Sequence, residues 1–294
     1  MSDAAETSLP VPAGWPADLG PRDLVLLGHP VAHSRSPSIH TAALGAMGVD
    51  LRYRALDVPP EALDEALALL DDAGIRGANV TVPHKLAVMP ACDRLTEEAR
   101  LIGAVNTLTW DRDGVRVLEG HNTDAVGLER ALAEDVGPVT GARAVLVGTG
   151  GAARAAAVAL TRAGARVSVA GRRADAAAEL ADLVAHLGGP TDVVDLADDE
   201  LLAGRVAEAR IVVNATTLGM QGEHLPAPCE TLGAGQAAYD LVYGEETPFL
   251  AAARVAGAAA HGGIGMLVHQ AAASLERWTG RTAPVAVMRG AAAA

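Results

Sequence analysis

Short apolar runs alternate with longer amphipathic segments along most of the chain. The first runs are DLVLLG (23–28), LRYRALDV (51–58) and GANVTV (77–82), and a segment with helical spacing of its apolar residues follows each of them. Apolar runs of this length separated by helical patterns are typical of parallel strands with crossover helices. The pattern therefore predicts an α/β fold.

A break after the third run divides the chain into two units. The stretch NTLTWDRDGVRVLEGHNTD (106–124) holds two extended runs around Arg112-Asp113-Gly114, which predicts a hairpin that closes the first unit. A helix is expected from Asp124 to the Gly137-Pro138 pair. Strand and helix patterns then resume, with strands predicted at 142–148, 165–171, 191–196, 209–215 and 236–242. The second part of the chain is thus predicted to be another α/β unit.

The composition favours a folded protein with a small-molecule partner. Half of the 294 residues are apolar, which is enough to bury a sizeable core. The net charge is −13 and no run of Lys or Arg is present, which argues against nucleic acid or an anionic membrane as a partner. The stretch 249–275 is rich in Ala and Gly and lacks the roughly 20 strongly apolar residues of a membrane helix.

Other sequence features point to the cytoplasm and away from a metal enzyme. Residues 1–21 are acidic and proline-rich, which predicts a flexible extension and not a signal peptide. Cys92 and Cys229 form no CxxC pair, so a reducing cytoplasm is favoured. Among the nine histidines only His29 and His33 have HxxxH spacing, with Pro30 between them, and no metal site is predicted. We expect a cytoplasmic monomer or homodimer.

A glycine-rich turn opens the second unit. Gly148-x-Gly150-x-x-Ala153 lies between an apolar run and an alanine-rich helix. The two glycines let backbone amides approach a pyrophosphate, the helix N-terminus adds positive potential, and Ala153 permits close helix packing. Glycines also occur in such turns for packing reasons alone. With strands on both sides, the turn favours a dinucleotide site.

The residues after the next strand bear on the choice of cofactor. NAD-binding sequences usually carry an acid there, which binds the ribose 2′-hydroxyl. This chain carries Gly171-Arg172-Arg173, and guanidinium groups hold a phosphate by bidentate hydrogen bonds. Arginines at a strand end are also ordinary surface residues. The pattern favours NADP over NAD.

Polar residues of the first unit each have two interpretations. Ser36 suits the N-cap of a helix expected to begin near residue 37, yet Ser34 and Ser36 beside helix-terminal amides also suit a carboxylate ligand. Lys85 follows a strand that a proline ends, where a lysine is usually solvated. Asp124 is both a good N-cap and a candidate catalytic carboxylate.

As a set, these residues are more informative than any one of them. In parallel α/β units, ligand groups collect at the carboxyl ends of strands, where Ser34, Thr81, Lys85 and Asn106 are predicted to lie. Hydroxyls, an ammonium group, an amide and the Asp124 carboxylate would suit a small polyhydroxy acid.

With these motifs in hand, the chain closely resembles the shikimate dehydrogenases, NADP-dependent oxidoreductases of aromatic amino-acid and chorismate biosynthesis. The matching motifs occur in the family's order: GHPVAHSRSPSIH, ANVTVPHK, GAVNT, NTD, GTGGAARA, NATTLGM, YDLVYGEETPFL and GIGMLVHQAA. The resemblance implies a substrate domain over 22–124, completed by 263–294, a Rossmann-type NADP-binding domain over 125–262, and a cleft between them. It also implies reversible reduction of 3-dehydroshikimate to shikimate.

The resemblance assigns roles to individual residues. Lys85 and Asp124 would form the catalytic pair, because the alkoxide made by hydride addition needs a proton or a positive charge and a protonated lysine supplies either. Substrate would be bound by Ser34, Ser36 and Tyr243 at its carboxylate and by Thr81, Asn106, Gln270 and Asp124 at its ring. The cofactor would be bound by Gly148, Gly150, Gly151, Ala152, Arg172, Arg173, Leu241 and Gly263.

Two positions depart from the family pattern. The usual Asn-Arg-Thr-x-x-Arg cofactor loop reads GRRADA (171–176) here, so Arg173 would have to compensate for the missing side chains. Thr149 stands where the family commonly has alanine.

Two alternatives to the shikimate assignment stay open at this point. One is a quinate or amino-shikimate dehydrogenase of the same family, although Ser36 favours shikimate because quinate-using relatives often carry threonine there. The other is a non-catalytic NADP or metabolite sensor, which would not need both Lys85 and Asp124.

Overall fold

The computed structural model describes residues 15–111, 116–244 and 246–294. These residues form two six-stranded sheets that helices cover. The predicted α/β class with two units is confirmed. Residues 1–14 and the Arg112-Asp113-Gly114 turn lie outside the described residues.

The first sheet is mixed, with strand order β2-β1-β3-β5-β6-β4. Its strands are β1 (Asp23–Gly28), β2 (Arg52–Asp57), β3 (Gly77–Val80), β4 (Arg94–Leu95), β5 (Thr107–Asp111) and β6 (Val117–His121). β1 pairs in parallel with β2 and β3, whereas β5 runs antiparallel to both β3 and β6. The expected hairpin is therefore present as β5 and β6. The short strand β4 was not predicted.

Helices pack on both faces of the first sheet. They are α1 (Ser36–Met47), α2 (Leu63–Asp72), α3 (His84–Ala87) and α4 (Glu97–Ile102). Successive side chains of a strand point to opposite faces, so Val25 and Leu27 of β1 enter one core cluster and Leu24 and Leu26 enter another. β1 is buried on both faces, which explains its uninterrupted apolar sequence.

The described part of the expected N-terminal extension lies against the first unit. Trp15 and Leu19 pack on its core, and the Asp18 carboxylate pairs with Arg52 at 2.8 Å and with Arg54 at 2.9 Å. Residues 15–21 are therefore held against the first sheet, in part by ion pairs from Asp18 to β2.

The second sheet is entirely parallel, with strand order β12-β11-β10-β7-β8-β9. Its strands are β7 (Arg143–Val147), β8 (Arg166–Gly171), β9 (Thr191–Asp195), β10 (Ile211–Asn214), β11 (Ala237–Asp240) and β12 (Ala259–His261). The strand order reverses direction between β7 and β10. In open parallel sheets, the crevice at such a switch point is where ligands bind. Of these strands, only β12 was not predicted from the sequence.

Helices flank this sheet and connect it to the first one. They are α5 (Asp124–Asp135), α6 (Gly151–Arg162), α7 (Ala174–His186), α8 (Asp199–Glu208) and α9 (Pro248–Val255), followed by α10 (Ile264–Thr279) and α11 (Val285–Ala293). α10 packs against α5, and α11 packs against α1 of the first unit. The chain therefore returns to the first unit after the second sheet is complete.

The α5 and α10 helices approach each other closely at a glycine. A Cβ atom placed on Gly127 would lie 2.7 Å from the Cβ of Gln270 and 2.8 Å from its backbone nitrogen. Only glycine fits at that crossing. Within the described ranges, no helix has the length and apolar character that crossing a bilayer requires.

Candidate active site

A cavity of about 230 Å³ lies between the two units, and both contribute to its walls. Every residue predicted to bind substrate lines it, together with three of the predicted cofactor residues. These are Ser34, Ser36, Thr81, Lys85, Asn106, Asp124, Tyr243 and Gln270 from the first group and Ala152, Leu241 and Gly263 from the second. The fold thus gathers residues from nearly the whole length of the chain.

Lys85 reaches the cavity because β3 ends early. The strand stops at Val80, and Pro83 precedes the short helix α3 that carries Lys85. The backbone carbonyl of Lys85 accepts a hydrogen bond of 2.8 Å from Val105 N–H, which fixes the turn. Its ammonium group lies 2.6 Å from Oδ2 of Asp124. Lys85 is therefore paired in the cavity and not simply solvated.

Asp124 turns away from the helix that it begins. The N-cap of α5 is Thr123, whose side chain makes no capping hydrogen bond, and the Asp124 N–H donates instead to Asn122 Oδ1 at 2.9 Å. The carboxylate instead bonds Lys85 through Oδ2 and accepts a hydrogen bond of 2.8 Å from Asn106 Nδ2 at Oδ1. The N-cap interpretation of Asp124 is therefore wrong, and the carboxylate is free for chemistry at the cavity.

Asn106 has a defined orientation. A backbone N–H can only donate, and that of Thr123 lies 2.8 Å from Asn106 Oδ1. The amide nitrogen must then face Asp124 and the hydroxyl of Thr123, which is 3.0 Å away. Two donors thus converge on the Asp124 carboxylate, one from Lys85 and one from Asn106.

The expected position of Asn106 needs correction. It does not follow a parallel strand; it immediately precedes β5, which runs antiparallel to β3. The start of β5 therefore lies at the same sheet edge as the end of β3, and Val80 N–H donates to the carbonyl of Asn106 at 2.8 Å. Asn106 reaches the predicted edge by the opposite strand direction.

A buried polar network supports this group, and the sequence-based reasoning missed it. Asn79 Nδ2 donates to Ser274 Oγ at 3.0 Å, and Ser274 Oγ lies 2.8 Å from Thr107 Oγ1 and 3.1 Å from Thr123 Oγ1. Tyr53 donates to Asn79 Oδ1 at 2.7 Å and so fixes that amide. The network joins β2, β3, β5, the start of α5, and α10.

Local spacing could have revealed two members of this network. Asn79 is two residues before Thr81, so along an extended strand both point to one face. Ser274 is four residues after Gln270, which puts both on one face of a helix. A further signal was also overlooked, because Lys85 is the only lysine among the 23 basic residues of the chain.

The two serines lie at the start of α1, but not as expected. Arg35 is the N-cap residue, its side chain makes no capping hydrogen bond, and Ser36 is the first helical residue. The N-cap interpretation of Ser36 is therefore wrong. Ser34 Oγ accepts a hydrogen bond of 3.2 Å from Ser36 N–H. Two hydroxyls at the N-terminus of a helix form a surface that suits a carboxylate.

The glycine turn fits the pyrophosphate of a dinucleotide. Gly148 has φ of 119°, a conformation that favours glycine, and a Cβ there would lie 2.9 Å from the carbonyl oxygen of Ala215. Gly150 is the N-cap of α6, with no side-chain cap and no heavy atom within 4 Å of a Cβ built there. The N-terminal amides of α6 are thus open to an anion, and Ala153 is buried beneath them.

Arg172 and Arg173 follow directly after β8, and both are exposed. Across the described residues, neither guanidinium takes part in an ion pair. They lie outside the cavity wall, beyond the glycine turn. Two uncommitted guanidinium groups at this strand end fit a ribose 2′-phosphate.

Ala152, Leu241 and Tyr243 are the second unit's contribution to the cavity wall, and Gly263 lies where the chain returns to the first unit. A Cβ atom on Gly263 would lie 2.4 Å from the carbonyl oxygen of Leu241, so only glycine permits this backbone approach. Tyr243 is 37% exposed and lines the same cavity. This part of the wall therefore has no side chain at position 263 and carries one aromatic ring.

Metal chemistry was not expected at this site. Over the ranges that the structure describes, no three His, Cys, Asp or Glu side chains are grouped to hold a metal ion. The absence of a metal stays a prediction.

Comparison with known proteins relates the chain to one family. A family model described as the shikimate dehydrogenase substrate binding domain matches residues 26–108. A model described as the shikimate 5′-dehydrogenase C-terminal domain matches residues 263–293. The NADP(+)-dependent shikimate dehydrogenase of Moorella thermoacetica is 48% identical over 269 residues, which cover 90% of this chain and 90% of that protein.

Solved structures give a consistent result. Shikimate 5-dehydrogenase from Thermus thermophilus, in complex with NADP(H) and shikimate, is 38% identical with a TM-score of 0.81, covering 92% of this chain and 98% of that one. Quinate dehydrogenase from Corynebacterium glutamicum, in complex with NAD, is 33% identical with a TM-score of 0.80, covering 92% and 97%.

Proposed function

The chain belongs to the shikimate dehydrogenase family, and we propose that it catalyses the reversible reduction of 3-dehydroshikimate to shikimate with NADPH. It is an NADP-dependent oxidoreductase acting on a CH–OH group. The observation that carries the proposal is the Lys85–Asp124 pair, 2.6 Å apart, in a cavity between a carboxylate-binding helix start and the nucleotide unit. A sensor would have no need of that pair.

We assign the substrate to the first unit. The carboxylate is bound by Ser34 and Ser36, whose two hydroxyls lie at the N-terminus of α1, and by Tyr243. The ring hydroxyls are bound deeper in the cavity, by Thr81, Asn106, Asp124 and Gln270. The substrate domain comprises 22–124 and 263–294, and the cofactor domain comprises 125–262.

Proton handling at the reacting oxygen falls to Lys85. When bound, NADPH supplies the hydride that reduces the ketone. The Lys85 ammonium group lies at the cavity wall, where it stabilises the developing alkoxide and delivers a proton to it. Asp124, which accepts a hydrogen bond from Asn106, holds that ammonium group and a neighbouring ring hydroxyl in place, which contributes by orientation.

Three groups of residues are assigned to three parts of NADP: the pyrophosphate, the 2′-phosphate and the nicotinamide. Gly148, Gly150, Gly151 and Ala152 are proposed to bind the pyrophosphate at the open N-terminus of α6. Arg172 and Arg173 bind the 2′-phosphate, and Leu241 and Gly263 lie beside the nicotinamide. The exposed arginines carry positive charge in a chain whose net charge is −13, so the field that attracts the phosphate is local.

One assay tests the proposed function against its alternatives. Initial rates are measured with shikimate and quinate, each crossed with NADP and NAD. We expect the highest kcat/KM for shikimate with NADP. A higher value for quinate would assign the chain to the quinate branch, to which one similar structure belongs. No turnover with any of the four pairs would support a sensor instead.

We further propose a cytoplasmic location and a monomer or homodimer. Cys92 and Cys229 are both free thiols, as expected of a protein from a reducing compartment. Burial raises the pKa of Cys92 to about 11 and that of Cys229 to about 12, so both stay protonated near neutral pH. Sedimentation of the purified chain measures the oligomeric state.

A further inference from the structure

We propose that Thr149 is a specificity-determining residue of the cofactor site and that it acts as a matched pair with Gly171. Thr149 is the middle residue of the glycine turn, and Gly171 is the last residue of β8. Both positions depart from the family pattern. The proposal rests on the NADP-dependent function argued above and deepens it.

The two positions compete for one space. A Cβ atom built on Gly171 would lie 2.8 Å from Cγ2 of Thr149 and 3.1 Å from Cβ of Ala177. Contacts below 3.0 Å between such atoms require something to shift. The threonine methyl group therefore occupies the space that a side chain at position 171 would need. Threonine at 149 and glycine at 171 thus belong together as one structural change.

The threonine hydroxyl is available to a ligand. Thr149 is half-buried, and its Oγ1 makes no hydrogen bond to any residue that the structure describes. Its methyl group is directed at Gly171, so the hydroxyl, the other substituent on Cβ, points in a different direction. A hydroxyl is both donor and acceptor, and phosphate oxygens are strong acceptors.

The course of a dinucleotide brings its adenosine end to this hydroxyl. Its pyrophosphate lies at the start of α6, and its adenosine ribose lies at the end of β8. Thr149 directly precedes Gly150, the N-cap of α6, and its methyl group faces Gly171, which directly precedes Arg172. Asp195 neighbours Gly171 on β9, and its carboxylate accepts a hydrogen bond of 2.9 Å from Ala197 N–H. The Thr149 hydroxyl therefore donates to the 2′-phosphate beside the two arginines, in place of a side chain at 171.

The test separates the hydroxyl from the methyl group. Thr149→Val keeps the methyl contact and removes the hydroxyl. We expect the cofactor-free variant to melt at the parent temperature, to bind NADP about tenfold more weakly, and to bind NAD with unchanged affinity. Dissociation constants are measured by calorimetry, and melting by differential scanning calorimetry.

A second comparison tests the pairing. Gly171→Ala in the parent should lower the melting temperature by about 3 °C or more. The same change combined with Thr149→Ser, which removes Cγ2, should cost less than half of that. An equal cost in both backgrounds would overturn the pairing.

Cofactor binding and turnover test the role of Thr149 and the proposed reaction independently. Thr149 does not determine cofactor specificity if Thr149→Val weakens the binding of NADP and of NAD equally, or if it changes the binding of neither. That conclusion would hold even if the parent enzyme turns over shikimate with NADP. If the parent binds NADP with the expected differences but reduces no 3-dehydroshikimate, the proposed reaction is wrong and the pair of residues stands.

Discussion

The ammonium group of Lys85 lies 2.6 Å from Oδ2 of Asp124, a residue 39 positions further along the chain. The lysine side chain is 19% exposed and the aspartate side chain only 6%. A carboxylate buried to that degree depends on its partners, because removal of one partner leaves a charge without compensation. The pair therefore has both a chemical and an electrostatic consequence, and each is testable.

Replacing Lys85 by Met should abolish turnover and leave the protein folded. The methionine side chain fills similar space but supplies neither a proton nor a charge to the alkoxide. We expect kcat to fall by about 10³-fold or more, while the dissociation constant for NADP stays at the parent value. Steady-state kinetics and calorimetric titration measure the two quantities. Parent-like turnover in this variant would rule out Lys85 as the catalytic acid.

Lys85→Arg separates charge stabilisation from proton transfer. Arginine retains the positive charge but does not release a proton near neutral pH. If Lys85 mainly transfers a proton, the arginine variant should be as slow as the methionine variant. If it mainly stabilises the alkoxide, the arginine variant should be clearly faster.

Amine-directed acylation should inactivate the enzyme with a single side chain modified. Lys85 is the only lysine in the sequence, so the α-amino group is the only other amine. We expect loss of activity to follow acylation of the Lys85 peptide one to one, and saturating shikimate to slow both. Peptide mass spectrometry with a parallel rate assay measures this. Full acylation of that peptide with retained activity would contradict the assignment.

His40 should make the free energy of unfolding decrease as the pH falls. It is fully buried and stacks on Tyr53 with ring centroids 4.1 Å apart, and burial lowers its pKa to about 3 from 6.5. Above pH 6.5 both folded and unfolded histidine are neutral. As the pH falls below 6.5 the unfolded state binds the proton first, so the free energy of unfolding declines, and it does so down to about pH 3.

The size of that decline can be measured with one variant. Between pH 7 and pH 5 the His40 contribution should fall by about 2 kcal/mol. His40→Phe removes the titration, and neither ring nitrogen makes a hydrogen bond of normal geometry to the described residues, although Asn79 is near enough to favour the protonated ring. Urea unfolding at both pH values should therefore show a smaller loss for the variant. His121, whose pKa burial also lowers to about 3, titrates in both proteins. Equal losses would contradict the assignment.

Gly127→Ala should weaken both the fold and substrate binding. The added Cβ meets the backbone of Gln270, which cannot rotate away as a side chain would. We expect the free energy of unfolding to fall by about 2 kcal/mol and KM for shikimate to rise, since Gln270 lines the cavity. Gly45→Ala is the matched control, because Gly45 lies in α1 with nothing within 4 Å of its Cβ position. This control should be neutral or stabilising.

The strands were largely predictable because their signal is local. β1, β7 and β8 are continuous apolar runs bounded by turn residues, and the structure has them within one residue of the predicted positions. β4 and β12 have only two and three residues, too few for any periodicity to mark them.

The candidate site was less predictable because its contacts are tertiary. N-cap preference is a local rule, and it suggested that Ser36 and Asp124 cap their own helices. In the structure Arg35 and Thr123 are the N-cap residues instead, and Lys85 and Asn106 bind the Asp124 carboxylate from other segments. The antiparallel direction of β5, which brings Asn106 to the site, likewise depends on pairing across the sheet.

Helix α10 has one end in each unit. It begins after Gly263, whose backbone touches Leu241, and its Trp278 lies against Gly77 of the first sheet. It packs against α5, which begins at Asp124 in the cavity wall. If the second unit rotates about these two helices, points near them move least and points far from them move most. The distances around Gln270, which lies on α10 itself, would then change little.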